Sequence, residues 1–205
     1  MEFYKQYSET PINETPINET IDSDIRFEVD VSIEIPKNSH IKYEYDSETK
    51  ILKCDRILHT PFNYFFNYGF VVNTLSLDGD ALDVIVLMDD ELIPGCSIRC
   101  KILGYLETSD DHGDDPKMIV CPISKIDPTC ANINNITDIP QHTCEKIVYF
   151  FNHYKDLEKK AVTVGKILGR EEALCIYKES VIRYKHSITN SRSTSPIINS
   201  DGYTL

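Results

Sequence analysis

Three aspartates in the segment Asp78-Gly79-Asp80-Ala81-Leu82-Asp83 stand where one short loop can gather them. Asp78 and Asp80 are two apart, so in extended chain their carboxylates leave on one side, and Gly79 permits the tight turn that brings Asp83 back toward them. Three hard oxygen donors arranged in this way suit a cation of the magnesium type. The same residues also read as an acidic β-turn in solvent, because Asp-Gly is a common hairpin signal. An EF-hand loop is excluded, since Leu82 and Asp83 stand where that loop needs a ligand and then a glycine.

A second acidic group, Asp110, Asp111, Asp114 and Asp115, surrounds Gly113 and closes with Lys117. Such a run by itself usually marks a solvated surface. A third feature is the aromatic stretch from Asn63 to Phe70. Phe65, Phe66 and Phe70 are expected in the core, whereas the hydroxyls of Tyr64 and Tyr68 need partners when buried and can orient a carboxylate or a phosphate oxygen.

The elements that must position these groups are mostly strands. Phe27, Val29, Val31, Ile33 and Ile35 alternate with Glu28, Asp30, Ser32 and Glu34, a period of two that sends one face to the core. The segment 42–46 alternates again and sets Lys42 and Glu44 on one side. Further strands are expected over 51–55, 69–73, 83–88, 97–104 and 117–121. Two helices follow. In the first, after a start signal at Thr137-Asp138, Cys144, Ile147, Val148 and Phe151 fall at helical spacing. Tyr154 and Lys155 continue that inward stripe, and an inward lysine is costly unless an anion compensates it. The second helix is expected from about Arg170 to Lys185. Many short strands followed by helices predict a mainly β, α+β fold: a small five-stranded OB-like barrel with two flanking helices.

At 205 residues the chain is the size of one domain. Residues 1–22, which contain the doubled unit TPINETPINET, read as a disordered lead-in, 23–186 as the single domain, and 187–205 as a flexible tail. Asp and Glu number 33 against 21 Lys and Arg, a formal net charge of -12, and no basic patch stands apart from it. Such a surface repels polyphosphate backbones, so no nucleic-acid partner is expected. The seven cysteines are odd in number and form no C-x-x-C pair, which fits a reduced, cytoplasmic protein better than a disulfide framework. No apolar window approaches a membrane span.

Taken together, the segments VSIEIP, IKYEYD, CDRIL, YFFNYGF, LDGDALDV, DDHGDDPK and FFNHYKDLE resemble, in order and spacing, the soluble family I inorganic pyrophosphatases of the compact bacterial type. The resemblance runs from about Arg26 to Lys160. It implies a Mg2+-dependent diphosphatase, with Mn2+ or Zn2+ as substitutes, which hydrolyses pyrophosphate to two orthophosphates through a metal-activated water or hydroxide. It also implies a homo-oligomer, a hexamer ahead of a dimer.

Carried over residue by residue, the resemblance implies that Asp78, Asp83, Asp110, Asp115 and Glu44 hold metal ions, with Glu34, Tyr64 and Asp111 in support. It makes Asp80 the group that orients or deprotonates the attacking water and Tyr68 the tyrosine beside it. Lys42, Arg56, Lys117, Tyr154 and Lys155 bind the phosphates. Three positions depart from the family pattern: Ala81 and Phe65 stand where proline is usual, and Asp111 where glutamate is common. The chain also has no tryptophan, and Val162 lies near the place of the usual one.

Eight of these side chains are carboxylates against four cations, an excess of four negative charges. Such a pocket accepts an anion only with divalent cations beside it. Two other readings use the same features. One is a pyrophosphatase-like barrel that binds without hydrolysis; the other is an OB-type oligonucleotide module, for which the aromatics are present but the basic groove is not.

Overall fold

The computed structural model describes residues 27–111 and 113–193. The expected lead-in and residues 194–205 of the expected tail lie outside them. Strands β1 (Glu28–Ile35), β4 (Asn67–Val71), β5 (Asp83–Val86), β8 (Lys117–Pro122) and β6 (Ser97–Asp110) pair in that order, and β6 pairs back on β1. The five strands therefore close into the expected barrel, which leaves no free edge within the ring. Strands β5 and β8 run parallel, with Val84 beside Met118, and the other pairings in the ring are antiparallel. A separate hairpin of β2 (Ile41–Asp46) and β3 (Ile51–Ile57) stands beside β1.

Alternation along the strands divides most of the interior into two buried clusters, beside a smaller third one of Leu103, Cys121, Cys130 and Ile139. Val31, Ile33, Val71, Val84, Val86, Ile102, Met118 and Val120 belong to one, which is joined by Ala173 of helix α2 (Arg170–Ser193). Ile35, Tyr64, Phe66, Tyr68, Ile85, Leu106 and Ile119 belong to the other, against Ile147, Phe150 and Phe151 of helix α1 (Gln141–His153). Gly69 is required where β1 and β4 cross, because a Cβ there would sit 1.9 Å from the Ser32 carbonyl oxygen.

Two strands lie outside the sequence expectation. Gly113–Asp114 forms β7 on the end of β6, and Thr163–Leu168 forms β9 along its second half. The second is short, carries Gly165 and is only half covered, so period-two burial leaves little trace in it. The segment Ile136–Asp138 forms its own 3-10 turn, capped reciprocally by Asn135 and Asp138, and α1 begins after Pro140. Helix α2 runs on to Ser193, past the expected end at Lys185. Hydroxyls along it bond back to the helix, Ser187 Oγ to the Tyr184 carbonyl and Thr189 Oγ1 to that of Lys185, which satisfies these polar side chains within a stretch that has no apolar period. Among the described residues no helix is long and apolar enough to cross a membrane.

Candidate active site

The parallel pairing of β5 and β8 starts both strands at the same level, which sets Asp83 beside Lys117. Tyr68 on β4 faces Ile85 and donates its hydroxyl to Asp83 Oδ2 at 2.6 Å. The Lys117 ammonium bridges Asp83 and Asp115. Lys117 is only 5% exposed. Burial works against its charge, but the two carboxylates outweigh burial and hold its pKa above the usual lysine range. The Asp115 carboxyl is pushed up to about 6, first by burial and then by Asp83 and Asp78, against the pull of Lys117.

The loop between β4 and β5 brings up the remaining aspartates. Gly79 adopts φ +96°, a left-handed conformation that an L side chain strains to reach, and the Asp80 N–H donates to Asp78 Oδ1 at 3.0 Å. The Asp80 carboxyl is raised above the ordinary range by burial and by Asp78, Asp83 and Glu44. Glu34 on β1 is 9% exposed, and burial, with help from Asp83 and Glu44, lifts its carboxyl to about 7 although the Tyr45 N–H donates to it at 2.6 Å.

Cationic groups face this acidic wall from the β2–β3 hairpin and from the end of α1. Lys42 pairs with Glu44 and lies 3.7 Å from Asp55. Arg56 donates from Nη1 to Asp55 at 2.6 Å and from Nε to Glu158 at 2.9 Å. Lys155, just past α1, lies 3.9 Å from Asp110. Its pKa is lowered by burial and by the neighbouring Lys117, Arg56 and Lys42, so these four cations share one electrostatic neighbourhood. Tyr154 and Tyr64 are buried beside them, with hydroxyl pKa values raised by that burial.

The structure thus gathers Glu34, Lys42, Glu44, Arg56, Tyr64, Tyr68, Asp78, Asp80, Asp83, Asp110, Asp115, Lys117, Tyr154 and Lys155 around one end of the barrel. Asp111 is exposed in the turn between β6 and β7. Two charged groups at this site, Asp55 and Glu158, were not singled out from the sequence. Glu158 lies in the quoted segment FFNHYKDLE, yet its partner Arg56 is 102 residues earlier, a pairing that spacing cannot reveal.

The donors that converge here are carboxylate oxygens, which suit hard divalent cations, and burial first, then the neighbouring carboxylates, raise the proton affinities of Glu34, Asp80 and Asp115. Among the described residues no three carboxylates already form a coordinating cluster; Asp83 and Asp115 are held instead by the Lys117 ammonium. The residues fit such cations by donor type and charge, with Lys117 marking the place of positive charge between two of them.

A closed barrel with carboxylates and four cationic side chains at one end fits a small polyanion taken with hard cations. The family model described as inorganic pyrophosphatase matches residues 31–185. An inorganic pyrophosphatase of Sulfolobus acidocaldarius is 50% identical over 130 residues, covering 63% of this chain and 75% of that one. One from Halalkalibacterium halodurans is 42% identical over 157 residues, covering 77% and 95%. The solved inorganic pyrophosphatase of Helicobacter pylori superposes with a TM-score of 0.76 at 41% identity, covering 79% of this chain and 96% of that one. The chain belongs to the inorganic pyrophosphatase family, and its activity is the hydrolysis of a phosphoanhydride, inorganic pyrophosphate.

Proposed function

We propose that the hydrolysis depends on Mg2+, with Mn2+ or Zn2+ as substitutes, and that the cations are held by Asp78, Asp83, Asp110, Asp115 and Glu44, supported by Glu34, Tyr64 and Asp111. The observation that carries this reading is the meeting of Asp83, Asp115 and Lys117 under the Tyr68 hydroxyl. When bound, the divalent cations supply charge neutralisation and make water acidic enough to act as a nucleophile near neutral pH.

The chain's own residues divide the remaining work. Tyr68 fixes the Asp83 carboxylate by donating to it and stands beside the attacking water. Asp80, with a proton affinity raised by burial and by three neighbouring carboxylates, takes the proton from that water, and the raised affinity makes it a better base than a solvent-exposed aspartate. Lys42, Arg56, Lys117, Tyr154 and Lys155 hold the phosphoryl oxygens and neutralise the charge that builds on the leaving phosphate. The desolvated Lys155 then meets an anion, which offsets the cost of its burial. We place the enzyme in the cytoplasm as a homo-oligomer.

The test is phosphate release from pyrophosphate with and without Mg2+, beside an Asp80→Asn variant and with ATP as control substrate. Release that needs Mg2+, falls about 10²- to 10⁴-fold in the variant and spares ATP supports the assignment. Undiminished activity in Asp80→Asn would remove Asp80 from its role.

A further inference from the structure

The ion pair between Arg56 and Glu158 joins two parts of the chain that each bring cations to the site. Arg56 comes from β3 of the hairpin, and Glu158 from the turn at Asp156–Glu158 that follows Tyr154 and Lys155. The Glu158 side chain is 4% exposed. A carboxylate so fully withdrawn from water persists only with a partner, and its partner is the guanidinium Nε at 2.9 Å. The turn is closed by the Glu158 N–H donating to the Lys155 carbonyl at 2.9 Å, and Thr60 Oγ1 donates to the Tyr154 carbonyl just before it at 3.2 Å.

Coulomb's law alone makes this pairing unfavourable for catalysis, because a carboxylate beside Arg56 weakens its attraction for an anion. Orientation explains it. The planar guanidinium has a fixed fork of donors; Glu158 takes the Nε edge and Asp55 takes Nη1 at 2.6 Å, so the plane is held from the turn on one side and from β3 itself on the other. We propose that Glu158 is a positioning residue, which fixes the guanidinium plane of Arg56 against the phosphoryl group and ties the Tyr154–Lys155 arm to the β2–β3 hairpin. This rests on the assignment of Arg56 to the substrate.

The experiment is a double-mutant cycle on the Mg2+-loaded enzyme, with Glu158→Ala, Arg56→Ala and the double variant, and with Glu158→Gln as the conservative control. The readouts are kcat, KM for pyrophosphate and Tm. Glu158→Gln keeps an acceptor for Nε and removes the charge, so it should hold kcat within about twofold with KM unchanged or lower. Glu158→Ala should lower kcat about tenfold, and adding it to Arg56→Ala should change kcat/KM by less than about twofold, the non-additivity of two groups acting as one. The same loss from Glu158→Ala in both backgrounds, or wild-type kinetics in Glu158→Ala, overturns the proposal. If Glu158→Ala does not fold, Glu158→Leu, which keeps the bulk and removes the acceptor, takes its place in the cycle with the same expected losses, and a tenfold loss of kcat in Glu158→Gln overturns the role of the acceptor. Wild-type kcat/KM in Arg56→Ala overturns the assignment of Arg56 itself, a result distinct from the others.

Discussion

Strand β5 sends Val84 and Val86 into one buried cluster and Ile85 into the other, and the two clusters end differently. The one under α2 is almost entirely aliphatic, drawing Val29, Val31, Ile102, Met118 and Val120 from the barrel strands and closing on Ala173. The one under α1 is aromatic, and Phe66, Phe150 and Phe151 pack ring to ring with Tyr64, Tyr68 and Tyr154. Its outer edge turns polar where the Tyr68 hydroxyl meets Asp83. An aliphatic cluster has nothing to offer a charged ligand at its rim, whereas tyrosine couples an apolar ring to a polar tip. The same barrel therefore has a side that only supports and a side that supports and reacts, divided by the parity of residue positions on its strands.

Truncation on the two sides should separate these roles. Phe150→Ala removes a ring that touches Phe62, Tyr64, Phe66, Phe151 and Tyr154, and should cost about 3–5 kcal/mol of stability and lower kcat as well. Denaturant unfolding and steady-state kinetics measure the two effects. Unchanged kcat in the folded variant would show that the aromatic cluster does not position Tyr154 and the site.

Protonation sharpens the same contrast, since the carboxylates with raised proton affinity, Glu34, Asp80 and Asp115, lie at the site. Glu34 has a pKa of about 7 in the folded chain against 4.5 for the ordinary side chain. Between those values the folded state binds the proton more firmly than the unfolded state, so stability falls as pH rises, by up to about 3 kcal/mol. Urea midpoints of metal-free protein should decline from pH 4.5 to 7 and the decline should shrink in Glu34→Gln. Parallel profiles for the two proteins would contradict the assignment.

Tyr68→Phe keeps the ring and deletes the hydroxyl that orients Asp83. A loss of about tenfold in kcat is expected, with stability changed by only about 1 kcal/mol, the range of one hydrogen bond. A Tm shift without a kinetic effect would make Tyr68 a packing residue. The smallest effect is reserved for the aliphatic side: Ile102→Val should cost about 0.5–1.5 kcal/mol and leave kcat and KM where they were. If it moved KM, the division between the two clusters would fail.

Much of this was legible in the sequence because it depends on near neighbours. Alternation from Phe27 to Ile35 marks a half-buried strand, the spacing of Ile147 and Phe151 marks a buried helix face, and Gly79 between two aspartates marks a turn that can carry both carboxylates. The seven quoted segments resemble one family closely enough to name the reaction. Strand β9 was not legible, because a short, half-covered strand with a glycine has no period to detect. The reach of α2 past Lys185 was also hidden, since serine and threonine hydroxyls that bond back to the helix look from the sequence like loop residues. Only the tertiary structure decided that Lys117 bridges Asp83 and Asp115, and that Glu158 closes on Arg56. The first follows from the parallel register of β5 and β8, the second from a turn folded back on a hairpin, and each joins residues that the chain keeps far apart.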